Sequence, residues 1–130
     1  MARVTDRPVP PMKLSIVQVA DRGVPNVERL HMRALLDIDL CFFIILDVNV
    51  IVPKTRVSSK PKNAYWFSTH PVKAGDNVVL YTGTGVDMVR PNGSGGTDHF
   101  FYWGCPQTLW ALPTGAAVVC EISEWTTAVG

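Results

Sequence analysis

The chain has 130 residues, of which 47% are hydrophobic and 18% charged, and 12 basic against 11 acidic side chains leave a net charge of +1. So apolar a composition excludes global disorder, and the length suits one domain that needs no metal or disulfide staple. Near-neutrality excludes an overall field that draws the chain to nucleic acid or to an anionic membrane.

Residues 1–12 carry Pro8, Pro10 and Pro11 and no apolar stretch. They read as an extended, flexible arm and not as a secretory signal. Residues 13–19 predict a first strand, and Asp21 to Asn26 has the chemistry of a turn. Arg29, His31 and Arg33 then alternate with Leu30, Met32 and Ala34. That period of two predicts a strand with one wet and one buried face. Leu40 to Leu46 is apolar on both parities, as in a strand covered on both sides. The apolar stretch that contains it, Leu40 to Val52, is broken by Asp47 and Asn49 and is too short for a membrane helix, which needs about 20 residues.

Residues 53–64 form a basic loop with Lys54, Arg56, Lys60 and Lys62 and no acidic residue. Tyr65-Trp66-Phe67 is a short aromatic strand, and Lys73 to Asp76 turns into a strand over 77–82. Residues 83–98 contain five glycines and read as one long loop. Strands over 99–103 and 116–122 follow, with a shorter one over 108–110, and residues 124–130 are a tail anchored by Trp125. Seven or eight strands without a helix predict an all-β fold, an antiparallel β-sandwich of about seven strands in a single domain over 13–123.

Cys41, Cys105 and Cys120 are odd in number and form no close pair. Buried, reduced thiols and a cytoplasmic location are the expectation. No two Cys or His residues have structural-zinc spacing, so no metal and no cofactor is expected. Cys105 and His99 are the best nucleophile–base pair, but six residues of extended chain would hold them about 20 Å apart. Asp37 and Asp39 read as solvated turn residues. The glycine-rich loop lacks the Lys-Ser/Thr that a phosphate cradle requires. Trp66, Trp103 and Trp110 read as core.

Trp66-Phe67 followed by Val72 to Tyr81, and His99 to Trp103 followed by Leu109 to Val119, resemble the central and closing segments of lamin-tail domains over residues 65–122. The resemblance implies an immunoglobulin-like sandwich that works as a binding or adaptor module without catalytic residues. The expected function is accordingly non-catalytic binding of another protein, or of a second copy in a homo-oligomer, through loops or an exposed sheet edge. The expected contact residues are Lys54, Arg56, Lys60, Lys62, Asp87, Met88, Arg90 and His99. Two alternatives stand beside it: a small enzyme using His99 or His70 with a Cys or Asp, and binding of nucleic acid or another anionic ligand by the loop 54–62.

Overall fold

The computed structural model describes residues 12–51 and 56–130. Lys54 and nearly all of the expected N-terminal arm lie outside the described residues. The strands are β1 (Leu14–Ala20), β2 (Arg29–Ala34), β3 (Ile38–Asp39), β4 (Phe43–Ile51), β5 (Arg56–Val57), β6 (Asn63–Trp66), β7 (Pro71–Val72), β8 (Asn77–Tyr81), β9 (Met88–Pro91), β10 (Thr97–Tyr102) and β11 (Gly115–Glu121). Three of them, β3, β5 and β7, are two-residue pieces, so among the described residues eight longer strands carry the sheets.

The larger sheet has the order β1-β2-β8-β10-β9. In the smaller one β4 is central, with β11 on one side and β5 and β6 on the other. Among the described residues pairing is antiparallel except between β8 and β10, which run parallel. The fold is thus an all-β sandwich, and its chain path is no simple meander, because β2 with β8, β8 with β10 and β4 with β11 pair strands that do not follow one another in the chain.

Alternation explains the layers. Leu30, Met32 and Ala34 from β2, Val78 and Leu80 from β8 and Phe101 from β10 face Phe43 and Ile45 from β4, and Leu14, Leu40, Phe67, Val72 and Trp110 complete the core. Each fully buried aliphatic or aromatic side chain contributes about 1.5–3 kcal/mol.

Five expectations are corrected. Residues 83–98 are not one loop: Met88–Pro91 forms β9 and pairs antiparallel with β10. Leu40–Phe42 is a 3-10 turn, because the Asp39 carboxylate accepts the Cys41 N–H and winds the chain before the strand begins. Residues 108–110 form no strand; the Leu109 and Trp110 N–H groups donate to a side chain instead of a neighbouring strand. Trp66 is 46% exposed rather than core. Its Nε1 donates to the Cys41 carbonyl, and its ring meets Trp125 of the tail at 4.9 Å. Asp39 is half-buried and holds backbone rather than sitting solvated, accepting from the His70 N–H as well, whereas Asp37 is exposed as expected and accepts the Ala74 N–H.

Candidate functional site

The side of the larger sheet that turns away from the core is built by register alone. Across the strands, Arg33 lies opposite Asn77, Asn77 opposite Asp98, and Asp98 opposite Arg90. The next row runs Gln18, His31, Val79, Phe100, Met88, and the third Ala20, Arg29, Tyr81, Tyr102. Val79 is buried as the floor of a 400 Å³ groove whose walls include Arg29, His31, Arg33, Arg90 and Phe100. The alternation in β2 thus sets a basic stripe on this face by the same pattern that sends Leu30, Met32 and Ala34 inward.

Polar contacts fix the face. Arg29 donates from Nε to His31 Nε2 at 3.0 Å and forms an ion pair with Asp21 at 2.6 Å. Because the guanidinium only donates, His31 Nε2 carries the lone pair and Nδ1 the proton. Burial, then the adjacent Arg29, hold His31 below its ordinary value, against the opposing pull of Asp98. Asp98 accepts from Asn92 and Asn77, and these bonds keep its carboxyl below the usual range. Arg90 lies over the Phe100 ring at 5.0 Å and Arg29 over Tyr81 at 5.9 Å, while Tyr81 and Tyr102 stack at 4.9 Å. Arg33 and Arg90 are exposed.

A second constellation sits inside the sandwich. His99 Nε2 meets Asp76 Oδ2 at 2.9 Å, and His99 Nδ1 meets His70 Nε2 at 2.8 Å. Asp76 and His99 are each 5% exposed. Burial alone would raise the Asp76 pKa, but hydrogen bonds from His99 and from the Lys73 and Thr97 N–H groups outweigh it and keep the carboxyl low. An ionised carboxylate only accepts, so His99 carries its proton on Nε2 and receives His70 Nε2–H at Nδ1. The lone pair at the end of the chain is therefore His70 Nδ1. Burial, then His99, lower the His70 pKa, with Asp39 and Asp87 opposing.

Of the residues expected to make contacts, Met88 and Arg90 lie on the outward side of β9. Asp87 accepts the Tyr102 N–H. Arg56, Lys60 and Lys62 are exposed, but they belong to β5 and the turn after it, in the other sheet. His99 points into the core and offers no contact surface. Missed in the sequence were Arg29, His31, Arg33, Tyr81 and Phe100. The alternation around His31 was visible, but its neighbours on β8 and β10 could not be assigned without the pairing.

Cys41 and Cys105 are poor nucleophiles. Burial raises Cys105, with Asp47 and Glu28 adding to it, and burial with Asp39 raises Cys41. A 580 Å³ cavity beside Cys105 is lined by Asn26, Thr82, Thr84, Gln107 and Thr108, all neutral. Among the described residues no group of three or more His, Cys, Asp or Glu is placed to hold a metal ion, and no helix is long and apolar enough to cross a membrane. Compared with protein-family models, with curated proteins and with solved structures, the chain has no match in any of the three.

Proposed function

We propose that this chain is a non-catalytic binding module and that it binds an anionic ligand on the open face of its larger sheet. The observation that carries the reading is the pair of exposed arginines, Arg33 and Arg90, on one solvent-facing surface beside Arg29, which Asp21 already pairs, while the carboxylate between them, Asp98, accepts from two asparagine amides. Guanidinium groups match planar oxyanions with two parallel hydrogen bonds, and a partly desolvated groove strengthens each. The reduced thiols favour a cytoplasmic setting. An immunoglobulin-like, lamin-tail type of sandwich belongs to the same proposal, supported by the β-sandwich architecture.

Calorimetric titration with pyrophosphate at low and moderate salt tests it. Arg33→Ala combined with Arg90→Ala is expected to weaken binding about tenfold, near 1.4 kcal/mol. Lys60→Ala with Lys62→Ala, in the other sheet, is expected to leave it unchanged. Loss with the lysine pair alone would move the site to the basic loop.

A second reading rests on the Asp76–His99–His70 chain, which leaves a lone pair on a partly exposed imidazole, the arrangement a general base or nucleophile needs. It predicts slow hydrolysis of p-nitrophenyl acetate that His70→Ala abolishes and Asp76→Asn lowers at unchanged KM. A rate indifferent to both substitutions rejects it.

A further inference from the structure

The aromatic rings of the open face are not free platforms. Tyr81 and Tyr102 are stacked on each other with planes 14° apart, and Arg29 covers Tyr81. Gly85 packs so closely on Tyr102 that a Cβ there would stand 2.5 Å from the ring, and Arg90 covers Phe100. A nucleobase needs an open ring face to stack on, and these are taken. Arg29 is also engaged, by Asp21, His31 and the Val27 carbonyl. The exposed cations that remain are Arg33 and Arg90, at the two ends of the row Arg33-Asn77-Asp98-Arg90.

Those ends are three strand spacings apart, about 14 Å. In an extended peptide, side chains four residues apart project to the same side with a separation of about 13 Å. The side chain midway between them would lie over Asn77 and Asp98. Asp98 stays ionised there, so the middle position repels a carboxylate and accepts a donor. Resting on the binding reading above, we infer that the open face takes an extended acidic peptide that crosses the strands, with carboxylates four residues apart on Arg33 and Arg90 and a non-acidic side chain between them.

The test is fluorescence anisotropy at about 50 mM salt, where surface charges are only partly screened. The probe is a labelled seven-residue peptide with glutamates at its second and sixth positions, serine at its fourth and glycine elsewhere. It is expected to bind, and Arg33→Ala or Arg90→Ala to weaken it about fivefold each. Glutamate in place of the central serine is expected to weaken binding about threefold although it adds negative charge. Simple charge attraction predicts the opposite, so tighter binding of that peptide overturns the inference. Tighter binding of octathymidylate than of the peptide overturns it as well. Failure of the peptides while pyrophosphate still binds removes this inference alone, whereas failure of pyrophosphate also removes the reading beneath it.

Discussion

Glu28→Ala is expected to destabilise the protein by about 3–5 kcal/mol, a large part of the 5–15 kcal/mol that holds a domain together. Glu28 is 1% exposed. Its Oε1 accepts the Thr82 hydroxyl at 2.9 Å and the Leu109 N–H at 2.7 Å, and its Oε2 accepts the Gly23 N–H at 2.7 Å and the Trp110 N–H at 3.1 Å. One carboxylate therefore fastens the turn after β1, the end of β8 and the segment before β11. Alanine leaves the Gly23, Leu109 and Trp110 N–H groups without that acceptor and the Thr82 hydroxyl with only the Glu28 carbonyl at 3.5 Å, and each orphan costs about 1–3 kcal/mol before relaxation. Glutamine keeps the shape but turns an NH2 toward donors, so it should recover only part of the loss. Urea denaturation checks this: the alanine variant should lose about 2 M in midpoint at unchanged m. A shift below about 0.5 M would show that the loops find other acceptors.

Asp76→Ala should cost about 3 kcal/mol, because it strips the acceptor from His99 and from the Lys73 and Thr97 N–H groups at the point where β8 and β10 begin. This region and the open face together set the response to acid. His70 and His31 are held below their ordinary value of about 6.5, so the unfolded chain takes up their protons more readily than the folded one. Their stabilisation is complete above about pH 6.5 and is lost as pH falls through the folded values. Asp76, Asp39 and Asp98 are also held low, and their contribution is present above about pH 4 and lost below it. Melting temperature should therefore decline in two stages on acidification, and His70→Phe should flatten the upper one. An upper stage of the same size in wild type and His70→Phe assigns it elsewhere.

Much of the architecture could be read from the residues, because a strand's period of two leaves a direct trace. Arg29 to Ala34 announced one wet and one buried face, and that wet face became the basic stripe of the groove. Asn77 to Tyr81 and Ala116 to Glu121 were equally plain from their β-branched content. β9 was hidden because Met88-Val89-Arg90-Pro91 is short, ends in proline and sits among glycines, so turn chemistry masked it. The junction of Asp76, His99 and His70 had no local signature, since its members come from a turn, a strand and a connection that only the parallel β8–β10 pair brings together. Glu28 shows the limit best. A single glutamate beside a turn looks like a solvated side chain until the distant N–H groups of Leu109 and Trp110 close over it.

The pairing of Phe43 with Glu121 has a consequence for how the protein is made. The middle strand of the smaller sheet emerges from the ribosome long before its main neighbour, and the larger sheet likewise waits for β10 to slide in beside β8. Distant closures of this kind place folding in the millisecond-to-second range. Throughout that interval Phe43–Ile51 is an unprotected apolar edge, the kind of surface on which nascent chains stick to one another. Yield from a cell should therefore depend on slow synthesis and holdase chaperones more than on the strength of the finished core.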